Sequence, residues 1–193
     1  MPVKILGIAG SLRQGSYNRR LLDVAASLLP ADATLEIFDL HGIPLYNQDV
    51  ERAGLPEPVR AMKEAVRRAD AVLIATPEHN WSIPGVLKNA LDWVSRPPGD
   101  NPFRGKPVAI MGASTGLMGT VRAQLHLRQV LAYLEAYTVT RPEVLVAQAA
   151  ERFDAEGRLI DPTARQLIAD LLQALYELTV RLQVGERMVS ARQ

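Results

Sequence analysis

Apolar and polar positions along this chain follow two alternating rhythms. Val3 to Ala9 is a short β-branched and apolar run, the pattern of a strand buried on both faces. From about Tyr17 the period lengthens. Leu21, Leu22, Ala25, Leu28 and Leu29 recur at three and four residues, which predicts a helix running to Leu29 and ended by Pro30. Thr34 to Leu40 alternates and predicts a second strand. The stretch from His41 to Pro58 is punctuated by Gly and Pro and predicts a long loop. Val59 to Ala69 predicts a helix with Met62, Ala65, Val66 and Ala69 on one face, and Ala71 to Thr76 is a fully apolar third strand.

The alternation continues. Pro77 stops the third strand, and Pro84 opens a helix at the position where its missing N–H costs nothing. Val86, Leu87, Ala90, Leu91 and Val94 form that helix's apolar face. Pro107 to Ser114 predicts a fourth strand, and a helix follows from about Gly119 to Leu134. Tyr137 to Ala149 predicts a fifth strand, with Pro142 marking a break or an edge. Glu151 to Pro162 predicts a loop or small turn. The last helix starts at Pro162 and carries a stripe of Leu167, Ile168, Leu171, Leu172, Leu175, Leu178 and Leu182. Five alternations of strand and helix imply an α/β fold, a parallel sheet with helices on both faces. No linker, repeat or low-complexity tract divides it. One domain over 1–185 is expected, with a polar, frayed and disordered tail at 186–193.

Composition narrows the function classes. Apolar residues make up 48% and charged residues 22% of 193, which is ordinary globular usage with room for a full core. A formal charge of +1 gives no bulk electrostatic case for nucleic acid or an anionic membrane. The absence of cysteine removes disulfides, thiolate metal sites and a cysteine nucleophile. No metal site is expected. No apolar run approaches the roughly 20 residues of a membrane-spanning helix. The segment MPVKILGIAGS lacks the layout of a signal peptide, so the expected location is cytoplasmic.

The unusual chemistry gathers after strands one, three and four. In an open parallel sheet, ligands bind beyond the carboxyl ends of the strands. The first loop, Gly10 to Asn18, lies between a strand and a helix N-terminus. There the first-turn N–H groups are free and the helix dipole favours negative charge. Ser11, Ser16 and Asn18 can donate hydrogen bonds, and Arg13 adds a charged fork. One Ser or Asn alone would most simply be a helix cap. The whole Ser-x-Arg-x-x-Ser-x-Asn set points to a bound phosphate. It fits neither Gly-x-x-x-x-Gly-Lys-Ser/Thr nor Gly-x-Gly-x-x-Gly. The second loop, TPEHNWSIPG, offers His79 and Trp81 as flat surfaces and Glu78 and Asn80 as polar edges for a heteroaromatic ring. Trp81 as a packing residue and His79 as an ordinary surface residue are the plain alternatives. The third loop, GASTGLMGT, brings two hydroxyls and glycines to the next strand end.

GSLRQGSYNRRLL together with PEHNWSIPGVLKNALDWVSRP resembles the NADPH-dependent FMN reductases of the flavodoxin-like fold, the group that includes bacterial chromate and quinone reductases. The likeness runs from Val3 to about Glu143. It implies a three-layer sandwich with a five-stranded parallel sheet of order 2-1-3-4-5. It implies FMN as cofactor, with Ser11, Arg13, Ser16, Tyr17 and Asn18 at the phosphate. Pro77, Glu78, His79, Asn80 and Trp81 would lie around the isoalloxazine ring, and Ser114, Thr115 and Gly116 would meet it from the other strand end. Relatives often carry Tyr where His79 and Trp81 stand. The implied activity is hydride transfer from NADPH or NADH to FMN and on to a quinone, in ping-pong order, with no catalytic side chain. Free flavin, an azo dye or chromate are other acceptors of the class. The resemblance also implies a homodimer or homotetramer, with Arg122 and Glu143 as an inter-subunit pair. Two readings compete: a flavodoxin-like electron carrier without NAD(P)H turnover, and a nucleotide-binding regulator on the same fold.

Overall fold

Seven helices and six strands account for most of residues 2–191, the part of the chain that the computed structural model describes. In chain order they are β1 (Val3–Ala9), α1 (Tyr17–Ala26), β2 (Ala33–Phe38), α2 (Gln48–Ala53), α3 (Glu57–Arg68), β3 (Ala71–Ala75), α4 (Gly85–Val94), β4 (Pro107–Ala113), α5 (Val121–Tyr133), β5 (Tyr137–Thr138), β6 (Val144–Val146), α6 (Ala149–Arg152) and α7 (Pro162–Ser190). The sheet runs β2-β1-β3-β4-β5, all parallel, and β6 pairs with β4 beyond β5.

Strand alternation divides the interior into two cores. Val3, Ile5, Leu73, Ala109 and Met111 face one side, where α1 and α7 supply Leu21, Leu22, Ile168, Leu171, Leu172 and Leu175. Leu6, Ile8, Val72, Ile74, Val108 and Ile110 face the other, where α3, α4 and α5 supply Met62, Val66, Leu87, Leu91 and Leu127. Strands buried on both faces carry no polar alternation, which is why β3 reads as an unbroken apolar run. The helices cover both faces, so the strand ends and their loops are what the sheet leaves open to a ligand.

Four sequence expectations change. The fifth strand is two short pieces, because Pro142 has no N–H for the ladder and the chain leaves β4 between Thr138 and Val144. The long loop after β2 contains α2, whose first turn is capped by the Asn47 side chain accepting from the Asp49 N–H at 2.8 Å. Helix α1 stops at Ala26, where the Ser27 hydroxyl donates to the Val24 carbonyl. Helix α7 continues through Glu186 to Ser190, where the polar composition had suggested a tail from 186. Residues 192–193 of that tail lie outside the described residues. Among the described residues, no helix is long and apolar enough to cross a membrane.

One buried charge braces the frame. The Lys63 ammonium donates to the carbonyls of Val94, Arg96 and Asp100 and lies 3.2 Å from the Asp100 carboxylate. Burial pushes its pKa below the ordinary lysine value, and Asp100 partly offsets this. The brace fixes the segment after α4 on the side of the sheet away from α1.

Candidate functional site

The carboxyl ends of β1, β3 and β4 lie side by side, held by hydrogen bonds that continue past the strands. Gly10 N–H donates to the Ala75 carbonyl at 2.8 Å, and Thr76 N–H donates to the Met111 carbonyl at 2.9 Å. Beyond Thr76 the ladder would fail, since Pro77 has no N–H. Asn18 takes over. Its side-chain amide donates to the Ala113 carbonyl and accepts from the Ala113 N–H, both at 2.9 Å. Asn18 is 3% exposed, so this clamp between α1 and the end of β4 is dry. The pattern Ser-x-Arg-x-x-Ser-x-Asn had put the Asn18 side chain on the phosphate. The structure spends it on Ala113, because β4 projects past β3 and needs a partner there.

A cleft of about 320 Å³ opens above these strand ends. Ser11, Arg13, Ser16, Tyr17, Asn18, Pro77, Glu78, His79, Ser114 and Thr115 line it, together with Ala113, which the sequence did not single out. Asn80, Trp81 and Gly116 do not line it.

One end of the cleft suits an anion. Ser16 is the N-cap of α1, yet its side chain makes no capping bond, and the first turn carries no acidic residue. The simple capping alternative therefore does not hold for Ser16. The first-turn N–H groups keep their partial positive charge. Arg13 adds a full one. Its guanidinium sits 5.8 Å from the Tyr17 ring centroid, and the Arg13 backbone N–H donates to the Ser11 hydroxyl at 3.3 Å. Tyr17 is positioned by Phe153, with ring centroids 5.2 Å apart, and a second guanidinium, Arg20, lies 5.8 Å from it. These residues fit a phosphate: an uncapped helix terminus of ten residues, two serine hydroxyls and a guanidinium within one small cleft.

The other end is walled by two loops. Between Thr76 and Pro84 the chain makes a tight turn, with His79 and Ser82 exchanging both backbone hydrogen bonds at 3.0 and 2.9 Å. Asn80 and Trp81 at its tip both have positive φ, 49° and 64°. Glu78 is not a free polar edge, as the sequence had suggested. One oxygen accepts from the backbone N–H groups of Arg122 and Ala123 at 2.9 and 3.2 Å, and the other accepts from the Arg122 guanidinium at 2.7 Å. Burial alone would raise its pKa. The Ala123 N–H and the Arg122 bonds outweigh that and hold it below the usual glutamate value. Glu78 thereby caps α5, whose formal N-cap, Thr120, makes no side-chain capping bond.

The loop from Ser114 to Thr120 forms the facing wall. Ser114 N–H donates to Val146, and Ala149 and Gln148 N–H groups donate to Ser114 and Gly116, so β6 and α6 anchor it. The approach here is very close. A Cβ on Gly112 would lie 2.0 Å from the Thr120 hydroxyl and 2.5 Å from the Thr76 carbonyl. Only glycine fits where the two strand ends and this loop meet.

The model of the NADPH-dependent FMN reductase family matches residues 3–151. The chain belongs to that family. An NAD(P)H-dependent FMN reductase of Pseudomonas aeruginosa is 54% identical over 173 residues, covering 90% of this chain and 93% of the relative. A 2-hydroxy-1,4-benzoquinone reductase of a Burkholderia species is 45% identical, covering 87% and 91%. Among solved structures, the flavoenzyme NAD(P)H:(acceptor) oxidoreductase FerB of Paracoccus denitrificans superposes with a TM-score of 0.84 at 33% identity, covering 93% of this chain and 98% of that one. The flavodoxin-like fold and the sheet order implied by the two sequence motifs are the observed ones.

For a family member, the sequence missed three contacts at the site. The Asn18–Ala113 clamp spans 95 residues and the Glu78–Arg122 pair spans 44. The third is the Arg122 guanidinium, 4.6 Å from the centroid of the Trp81 ring. No local pattern signals any of them. Within the chain, Arg122 therefore pairs with Glu78, and Glu143 pairs with Arg141 at 3.2 Å.

Proposed function

We propose that this protein is an FMN-dependent NAD(P)H oxidoreductase that reduces quinones. The observation that carries the reading is the uncapped N-terminus of α1, facing Arg13 and two serines in a cleft at the ends of β1, β3 and β4. The family match and the benzoquinone-reductase relative support the chemistry. When bound, FMN supplies that chemistry, accepting a hydride from the nicotinamide and passing two electrons to the acceptor.

The chain's own residues bind and orient. Arg13, Ser11, Ser16 and the first-turn N–H groups of α1 would hold the phosphate. The Asn18–Ala113 clamp keeps that cradle in register with the ring site. Pro77, His79, Ser114 and Thr115, which line the other end of the cleft, would wall the ring. Hydride transfer needs no general base, and none is assigned. Nicotinamide and quinone take the same place in turn, which gives ping-pong kinetics. Free flavin, azo dyes and chromate are alternative acceptors. The working form is a homodimer or homotetramer, with Arg122 of one protomer reaching Glu143 of another. Its reductant fits a cytoplasmic enzyme.

The test is reconstitution. Purified protein with FMN gives a yellow complex that NADPH bleaches without oxygen, and benzoquinone restores the colour. Arg13→Ala weakens FMN binding by about 1.5–3 kcal/mol, the scale of a hydrogen bond to a charged group, and leaves riboflavin binding little changed. A protein that binds no FMN refutes the reading. A flavin that NADPH leaves oxidised points instead to an electron carrier.

A further inference from the structure

We infer that the hairpin between α6 and α7 is a prop that sets the phosphate cradle before a phosphate arrives, and that Phe153 and Gly157 are its positioning residues. The inference rests on the FMN reading above and adds how the cradle keeps its shape.

The hairpin is closed at three levels. At its base the Arg152 guanidinium lies 2.8 Å from the Asp161 carboxylate, and Ile160 N–H donates to the Arg152 carbonyl at 2.9 Å. In the middle Phe153 and Leu159 form a single antiparallel bridge, and both are buried. At the tip the Asp154 carboxylate accepts from the Arg158 backbone N–H at 2.8 Å and from the Arg158 guanidinium at 2.7 Å. Gly157 N–H donates to the Asp154 carbonyl at 3.0 Å. The ends are fixed as well. Phe153 N–H donates to the Ala149 carbonyl, and Asp161 caps α7 by accepting from the Thr163 and Ala164 N–H groups. These ties make a stiff element out of a connection that only has to join two helices.

One side of the hairpin meets α1, at two residues. The Phe153 ring lies 5.2 Å from the Tyr17 ring, tilted by 38°. The Gly157 backbone lies against Arg20, where a Cβ would come within 2.8 Å of the guanidinium carbon and of Nε. Gly157 also has φ 82°, so glycine serves the turn and the close approach at once. Tyr17 and Arg20 stand three residues apart in the first turn of α1 and share one face. This is the uncapped turn that carries the cradle, and Tyr17 itself lines the cleft. Arg20 is half-buried, and among the described residues it forms no ion pair, whereas its neighbour Arg19 pairs with Asp39. The two acids at the hairpin tip, Asp154 and Glu156, both go to Arg158. The prop therefore holds a guanidinium beside Tyr17 without neutralising it, and that charge adds to Arg13 at the end of the cleft where an anion binds.

A cradle already set in the free protein loses little freedom when a phosphate binds. Where the set form is only a fraction of the population, the apparent affinity falls by that fraction. The prop acts at the phosphate end. The loop at the ring end hangs instead on Gln148 and Ala149, ahead of the hairpin.

The experiment titrates the apo chain with FMN and with riboflavin, which lacks the phosphate. Phe153→Ala weakens FMN binding roughly 3–10-fold more than riboflavin binding, the scale of one aromatic pair. Phe153→Leu, which keeps the apolar bulk, recovers part of the loss. Gly157→Ala, which crowds Arg20, moves the ratio in the same direction. Ile160→Ala, at a side chain 58% exposed on the same hairpin, leaves the ratio unchanged. Thermal melts confirm folded protein, and if Phe153→Ala does not fold, Phe153→Leu and Gly157→Ala carry the same comparison. A second arm needs no cofactor. The Arg20 amide, bonded to the Ser16 carbonyl at 3.1 Å, exchanges its hydrogen faster in the Phe153 variant than in wild type, whereas the Thr76 amide, bonded to Met111, does not. The proposal is overturned if the Phe153 variant loses FMN and riboflavin alike, if Ile160→Ala shifts the ratio as far, or if Arg20 exchange is unchanged. Wild-type protein that binds no FMN refutes the FMN reading itself, and the exchange arm then still decides whether the prop exists.

Discussion

Asn18→Ala is the sharpest perturbation of the frame that carries the cradle. On the β3 side, the ladder of β4 ends with Ala75 opposite Met111, and Pro77 cannot extend it. Ala113, 2% exposed, then depends on one side chain for both its N–H and its C=O. Removing the amide leaves a buried donor and a buried acceptor unpaired. Each costs about 1–3 kcal/mol, partly recovered by relaxation and by the side-chain entropy no longer lost, so about 2–4 kcal/mol is expected in total. For a chain of this size, each kcal/mol is worth about 2–4 °C, which predicts a fall in Tm of roughly 5–15 °C.

Asn18→Asp separates hydrogen bonding from shape. The introduced carboxylate can still accept from the Ala113 N–H, but its second oxygen faces the Ala113 carbonyl with no proton between them. At pH 7 the variant should be at least as unstable as Asn18→Ala. The protonated acid can donate to that carbonyl, so the folded state favours the neutral form and raises the pKa of the introduced carboxyl. The deficit should therefore shrink as pH falls through that raised value. Circular dichroism melts of the apo proteins at pH 7 and pH 5 read both effects. An Asn18→Ala variant melting within a degree or two of wild type refutes the argument, as does an Asn18→Asp variant that matches wild type at pH 7.

Two further outcomes follow from the strand ends. Gly112→Ala puts a methyl 2.0 Å from the Thr120 hydroxyl and 2.5 Å from the Thr76 carbonyl, and should cost at least the top of the roughly 1–3 kcal/mol range for overpacking. Gly15→Ala, with nothing within 4 Å of its new methyl, is the control and should leave the urea midpoint unchanged, whereas an unshifted midpoint for Gly112→Ala contradicts the reading. Glu78 has a lowered pKa in the folded chain, so its contribution to stability is present above the ordinary glutamate pKa and is lost as pH falls through the lowered one. Wild type should therefore lose more Tm than Glu78→Gln on going from pH 6 to pH 3, and parallel losses would show that the carboxylate contributes nothing.

What the sequence reveals here follows from where information sits in a parallel sheet. Strands β1, β3 and β4 are legible because both faces are buried and the runs are apolar. Helix α2 is hidden because four of its six residues are polar and none is buried, so only the Asn47 cap marks it. The site is legible as a gathering: serines, glycines and Arg13 at one strand end, an aromatic turn at the next. Which atoms remain free is not legible, since that depends on partners 44 and 95 residues away. The helices after β1 and β4 show the consequence. Both begin at the ligand end of the sheet, and both offer first-turn N–H groups to an anion. At α5 the anion is already built in, because the Glu78 carboxylate accepts from Arg122 and Ala123. At α1 no side chain caps the turn, no acid sits in it, and Arg13 stands beside it. Of these two termini, a phosphate from outside can be taken only by α1. The same carboxylate that closes α5 to a ligand also holds the Arg122 guanidinium, which lies 4.6 Å from the centroid of the Trp81 ring.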